Sequence, residues 1–192
     1  MTSRLSLPLV LLTCGGSLAA SESTTIDIRA LGGMANGSGH FAAIALESTS
    51  YGGAAEFGPR DQALVGLAGE LRLQLNSLEV EAGGKSTDVD LTGGSLGLGL
   101  GMWLSRPLTI EVLGRFGTGF SSSRGGVSFD SNDGDYTMWG VAVSVDWTLD
   151  NRLQFIGEIG FSQYELTFHD ASGKHTGTGD GLDLGVGMGY RF

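Results

Sequence analysis

The chain has 192 residues, a formal net charge of -10, and 34 glycines against 3 prolines. This acidic balance argues against a nucleic-acid partner, because phosphate binding needs a basic surface. A hydrophobic fraction of 41% excludes a disordered linker, while the glycine excess is too high for an ordinary soluble core. The length suits a single folded domain.

The first residues have the pattern of an export signal. Arg4 supplies the positive charge, Leu5–Leu12 form a short apolar core, and small residues at 17–20 suit cleavage. The apolar run is much shorter than the ~18 residues that a spanning helix needs. We therefore predict a cleavable signal peptide over 1–20 and one domain over 21–192.

Cleavage would also remove Cys14, the only cysteine, so no disulfide is expected in the mature domain. The alternative is a lipoprotein box at Leu11–Cys14, in which Thr13 stands where a smaller residue is usual.

After the signal, apolar residues recur at every second position, which is the period of a β-strand. The apolar positions of the predicted strands are, in chain order, Ile26, Ile28 and Ala30; Ala42, Ile44 and Leu46; Val65, Leu67, Leu71, Leu73 and Leu75; Leu96, Leu98, Leu100, Met102 and Leu104; Leu108, Ile110, Val112, Phe116 and Phe120; Trp139, Val141, Val143, Val145, Trp147 and Leu149; Leu153, Phe155, Ile159 and Phe161; and Leu182, Leu184, Val186, Met188, Tyr190 and Phe192. These segments make eight strands, an even number, as bacterial membrane barrels require.

The predicted connections alternate in length, as in barrels with short turns on one side of the membrane and long loops on the other. Loops are predicted over 32–39, 79–94, 121–135 and 169–180, and short turns at 105–107 and 150–152. The segment 48–61 breaks this rule, because it is long where a short turn should lie. Either the two strands that flank it extend beyond the membrane, or the first hairpin is misplaced.

Charged residues within the strands fall on the parity opposite to the apolar residues. They are Asp27, Arg29, Glu47, Glu70, Arg72, Glu111, Arg115, Asp146, Glu158, Asp183 and Arg191. A charge at the lipid midplane costs about 2–4 kcal/mol, so these side chains should point into a lumen while the apolar residues face lipid. Eight strands enclose an interior just wide enough for side chains to fill, so we predict a network of salt bridges there.

Trp139 and Trp147 share the apolar parity of one strand. Their separation of eight residues corresponds to roughly 26 Å along the strand, or about 20 Å of height at a tilt of ~40°. Because the apolar band between aromatic girdles is ~25 Å tall, we predict that both rings lie at membrane interfaces. The predicted fold is an all-β, eight-stranded antiparallel up-and-down transmembrane β-barrel. A soluble barrel would instead place its charges outside.

The chain ends in the sequence G-V-G-M-G-Y-R-F, from Gly185 to Phe192. This ending resembles the closing strand of small eight-stranded outer-membrane barrels, the OmpX/Ail/Lom and opacity-type families and the OmpA membrane domain. The resemblance implies the outer membrane of a Gram-negative bacterium. It also implies recognition by the barrel-assembly machinery through Tyr190 and Phe192. Gly185 departs from these signals, which commonly have a polar residue there.

The predicted function is a structural or surface-interaction role, with adhesion to a host or contact with the envelope through the acidic loops 79–94 and 121–135. A narrow channel for small solutes is the alternative, and a lipid A-modifying enzyme is third; we expect no enzymatic activity. The expected partners are outer-membrane lipid and lipopolysaccharide, the assembly machinery and an unknown extracellular ligand. A monomer without cofactors is expected.

Two sets of loop residues are candidate metal ligands. The first offers oxygen donors suited to calcium but lacks the EF-hand spacing, because Gly134 comes one place early. The second is a set of histidines without a serine or carboxylate at a recognised spacing. The two sets are Asp130, Asn132, Asp133 and Asp135, and His40, His169 and His175. We predict a solvated acidic loop, surface histidines and no metal site.

Overall fold

The computed structural model describes residues 23–35, 37, 39–56, 62–82, 85–105, 107–123, 134–149, 152–170 and 173–192. The strands are β1 (Ser23–Ala35), β2 (Gly39–Glu56), β3 (Gln62–Ala82), β4 (Lys85–Ser105), β5 (Leu108–Ser123), β6 (Asp135–Thr148), β7 (Leu153–Asp170) and β8 (Gly173–Arg191). Each pairs antiparallel with the next in the chain, and β1 pairs with β8 to close the barrel. The predicted all-β fold of eight antiparallel strands is therefore confirmed. The predicted signal peptide, 1–20, lies outside the described residues.

Among the described residues, no helix is long and apolar enough to cross a membrane.

The strands differ in length, so they extend to different heights at the ends of the barrel. The beginning of β1 and the end of β8 lie at one end, here called the terminal end; the opposite end is the far end. Strands β3 and β4 have 21 residues each, whereas β1 has 13. At ~3.3 Å per residue and a tilt of ~40°, 21 residues rise about 50 Å, roughly twice the height of a membrane's apolar band. The longer strands therefore extend beyond such a band.

Two of the predicted loops are mostly strand, so their predicted extent was wrong. Over 79–94, β3 and β4 stay paired as far as Ala82 and Lys85. Over 169–180, β7 and β8 stay paired as far as Asp170 and Gly173.

The other connections are also tighter than predicted. The loop over 32–39 shrinks because Ala35 pairs with Gly39. In the segment 48–61, β2 continues to Glu56 and pairs with β3 through a bulge, so the two flanking strands extend into this segment. Of the loop predicted over 121–135, residues 124–133 lie outside the described residues.

The long strands reverse their polarity along their length. In β4, Leu96, Leu98 and Leu100 face outward, but nearer the far end Val89 is buried and Asp88 is exposed. Strands β3, β6 and β7 change in the same way. An apolar exterior with a polar lumen suits lipid, whereas an apolar interior with a polar exterior suits water. The reversal therefore marks the level at which the environment outside the barrel changes from apolar to aqueous.

The far half of the lumen contains an apolar cluster, here called the far-end core. Its members in this half are Leu31, Ala35, Phe41, Ala43, Leu78, Val89, Leu91, Tyr136, Met138, Tyr164 and Leu166, and Ile156 belongs to the same cluster but lies nearer the terminal end. Asn76 Nδ2 donates a hydrogen bond of 3.1 Å to the Tyr164 hydroxyl, and the Tyr136 and Tyr164 rings are 6.1 Å apart. The far-end core closes the lumen on this side.

Tyr136 lies over a pair of glycines in the barrel wall, Gly93 and Gly119, which are opposite each other in β4 and β5. A Cβ added to Gly93 would lie 2.5 Å from the Tyr136 hydroxyl and would also clash with the Thr118 carbonyl oxygen. We expect Gly93→Ala to reduce the free energy of unfolding by about 1–3 kcal/mol, because the ring or the strand must move. The urea midpoint of the refolded barrel measures this.

Gly157→Ala is the matched control, because a Cβ there meets nothing within 4 Å. Equal urea midpoints for Gly93→Ala and Gly157→Ala would show that the packing of Tyr136 does not require glycine at position 93.

Candidate functional site: the charged lumen

The inward face of the barrel collects the charged side chains that the sequence placed on the lumen parity. Ten of these form two groups, and most of their side chains are buried. We call Glu70, Arg72, Arg115 and Glu158 the middle cluster, and Asp27, Arg29, Glu47, Glu111, Asp146 and Arg191 the terminal cluster. Asp183 lies apart and accepts a hydrogen bond from the Ser162 hydroxyl.

The middle cluster is balanced in charge. Arg115 forms a two-pronged pair with Glu70, with N···O distances of 2.8 and 2.9 Å, and reaches Glu158 at 2.6 Å. Arg72 donates to the other oxygen of Glu158 at 2.9 Å, and its guanidinium lies 5.0 Å from the centre of the Phe41 ring. Phe41 therefore joins this cluster to the far-end core.

The terminal cluster has a different balance. Arg191 holds Asp27 in a two-pronged pair, with N···O distances of 2.9 and 3.0 Å. Arg29 is the shared partner of four carboxylates: Glu47 at 2.5 Å, Glu111 at 2.9 Å, Asp146 at 2.5 Å and, at a longer distance of 3.6 Å, Asp27. Arg29 and these four acids are each at most 2% exposed.

Neutral polar groups complete the terminal cluster. Glu111 accepts hydrogen bonds from the Thr49 hydroxyl at 3.1 Å and the Ser144 hydroxyl at 3.2 Å. Gln154 donates to Asp27 at 3.4 Å. Such a network holds strands from opposite sides of the barrel together through charge-assisted hydrogen bonds.

The predicted interface aromatics lie on the outer surface. Trp139 and Trp147 are both in β6, and about half of each side chain is exposed. Tyr190 and Phe192 also face outward, with ring centres 5.2 Å apart. Arg191, between them in the chain, is the partner of Asp27 in the lumen. Recognition of Tyr190 and Phe192 by the assembly machinery stays a prediction.

The predicted loop candidates for metal binding do not form a described cluster. Residues 130–133 and the side chain of His169 lie outside the described part of the structure. Asp135 is exposed at the start of β6, while His40 begins the pairing of β2 with β3 and His175 lies opposite Phe168 near the far end of β8.

Within the described residues, the group with metal-ligand geometry is buried and consists of Glu47, Glu111 and Asp146. Sequence reasoning placed these acids in the lumen but did not connect them. They lie on β2, β5 and β6, and only closure of the barrel brings β2 opposite the other two strands.

Comparisons with known proteins place this architecture in a family. The family described as "Outer membrane protein beta-barrel domain" matches residues 41–192. A similar solved structure is that of a major outer membrane protein from Thermus thermophilus, at 15% sequence identity and a TM-score of 0.44, covering 88% of this chain and 100% of that chain. No curated protein matches the sequence. The family match confirms the predicted resemblance to outer-membrane barrels. Because the match spans most of the sequence, the chain belongs to the family of outer membrane protein β-barrel domains.

Proposed function

We propose that the protein is a non-conducting outer-membrane barrel that supports the envelope or contacts external partners with its far end. One observation carries this proposal: side chains fill the described lumen from the terminal cluster, through the middle cluster, to the far-end core. Narrow eight-stranded barrels are generally filled in this way, whereas solute channels need more strands. This favours a closed barrel over a narrow channel.

Bilayer conductance tests the closed lumen. The refolded protein, inserted into a planar bilayer, is expected to give no steady single-channel steps, because buried ion pairs block the path. A porin refolded under the same conditions shows that insertion would be detected. Reproducible steps from this protein would favour the channel.

The far end is proposed to face the cell exterior. Its outer surface carries polar side chains such as Asp88 and Glu165, and the β3–β4 and β7–β8 hairpins extend furthest there. Long loops usually face the exterior in these barrels, and the longest connection between strands, residues 124–134 between β5 and β6, lies at the far end. We propose export by the signal peptide and assembly as a monomer. Lipid and lipopolysaccharide would contact the apolar outer face.

Complementation separates a structural role from a surface role. A deletion strain would receive either the full barrel or a shortened variant. In the variant, a short turn on the terminal-end side of Leu78 and Val89 replaces the rest of the β3–β4 hairpin. If the role is structural, both restore the barrier of the outer membrane to detergents. If the hairpin contacts a partner, only the full barrel restores the phenotype. An enzyme acting on lipid A, the third candidate, would change lipid A mass on expression; we expect no change.

A further inference from the structure

The terminal cluster carries more negative charge than its arginines neutralise. Because Arg191 pairs with Asp27 on both oxygens, Arg29 is left as the cation for Glu47, Glu111 and Asp146. With all groups ionised, two negative charges remain in a region that is almost inaccessible to water. Uncompensated buried charge is strongly unfavourable, so either bound protons or a further cation must neutralise the excess.

The three carboxylates are close enough to hold one ion. One oxygen from each of Glu47, Glu111 and Asp146 lies within 4.8 Å of the others. Calcium sits about 2.3–2.6 Å from its ligands, so two oxygens on the same ion are up to about 5 Å apart. Asp146 Oδ1 has no hydrogen-bond partner and is buried. The donors are hard oxygens, which suit calcium or magnesium rather than softer metals.

Two buried hydroxyls next to these acids provide an independent observation. Thr109 and Tyr51 are 1% and 2% exposed, and neither hydroxyl has a hydrogen-bond partner. Thr109 lies directly opposite Asp146 in the β5–β6 pair. A Cβ built on Gly101 would lie 3.6 Å from the Tyr51 hydroxyl and 3.7 Å from Glu111 Cγ, so Tyr51 reaches the same region. A bound water or ion is one explanation for buried hydroxyls without partners, and these two lie beside the three acids.

We propose that the terminal cluster binds one hard divalent cation of the calcium class between Glu47, Glu111 and Asp146. The two charges of the ion cancel the excess of the cluster, and Thr109 and Tyr51 are placed to add neutral oxygens to its shell. Calcium accepts six to eight oxygen ligands in irregular arrangements, which such a mixed set can supply. The ion would join β2, β5 and β6 across the lumen.

Metal content and thermal stability test the proposal in the full chain refolded in detergent micelles. After equilibration with calcium and dialysis, elemental analysis is expected to find about one calcium ion per chain. A chelator is expected to lower the unfolding temperature. Glu111→Gln and Asp146→Asn should each weaken calcium binding about tenfold or more, because each removes one charged ligand. Asp183→Asn, which changes a lumen carboxylate outside the cluster, should retain both the ion and the stabilisation.

Two results would overturn the proposal. The first is a folded wild-type barrel that holds neither calcium nor magnesium and does not respond to the chelator, which would mean that bound protons neutralise the cluster. The second is equal calcium binding by wild type, Asp146→Asn and Asp183→Asn, which would assign the binding to exposed acids. If Glu111→Gln does not fold, the comparison of calcium binding between wild type and Asp146→Asn tests the proposal.

Discussion

Replacing Arg29 with methionine is expected to lower the free energy of unfolding by about 3–5 kcal/mol, enough to prevent stable folding of a marginal barrel. Methionine keeps an unbranched chain but removes the guanidinium that Glu47, Glu111 and Asp146 share. The three carboxylates would then lose the guanidinium that each of them contacts, and the buried excess of negative charge would grow by one. Breaking one side of a buried ion pair is far more costly than losing an exposed one.

The measurement is the urea dependence of refolding into lipid vesicles, followed by the mobility difference between unheated and heated samples on SDS gels. Lys174→Met is the control, because Lys174 is exposed near the far end of β8. Its midpoint should match that of wild type. Adding Glu47→Gln to Arg29→Met should restore part of the loss, since the two residues are in contact and their effects should not add. An Arg29→Met barrel as stable as wild type would contradict the account of the lumen.

The second large effect concerns the outer surface. Leu98 lies in the middle of the outward apolar row of β4 and is 77% exposed. Leu98→Arg is expected to reduce the free energy of unfolding in vesicles by about 2–4 kcal/mol, because a charge at the bilayer midplane is poorly solvated. Thr178→Arg is the matched control on an exposed position of β8 nearer the far end.

We expect Thr178→Arg to change stability by less than about 0.5 kcal/mol, as surface substitutions in water usually do. Refolding midpoints in vesicles of one lipid composition compare the two variants. If the two arginines had the same effect, the reversal of polarity along the strands would not mark the membrane surface.

The alternation of apolar and charged residues predicted the half of each strand that lies near the terminal end. In that half, apolar side chains face outward and charged side chains face the lumen, so both sets recur at every second position. It failed near the far end, where the backbone keeps the same period but the apolar residues change parity. In β3 the outward apolar row ends at Leu75, and the next buried leucine is Leu78. In β7 the change occurs between Phe161 and Tyr164. A search of the sequence for one continuous apolar face therefore predicts the start of a loop where the apolar residues change parity.

The lumen was predictable in composition but not in pairing. Parity placed Arg29 and Arg115 inside, yet the choice of partner depends on register and on which strands face each other across the closed barrel. Arg115 on β5 pairs with Glu158 on β7, and Arg29 on β1 reaches Glu111 on β5. These contacts pass over intervening strands, so no local spacing in the sequence indicates them. The excess negative charge of the terminal cluster could be recognised only once the structure showed which acids pair with which arginines.

The most direct test of a closed, lipid-embedded barrel is the reactivity of single cysteines on β4 toward a water-soluble maleimide in isolated outer membranes. The cysteines would replace Asp88, Ser95 or Leu98 in a Cys14→Ser background. Asp88 is outward near the far end, Ser95 is buried in the lumen, and Leu98 is outward in the apolar row. We predict labelling at position 88 and protection at 95 and 98 until the protein is denatured. Rapid labelling at 98 would mean that the apolar row faces water, and rapid labelling at 95 would mean that the lumen is open.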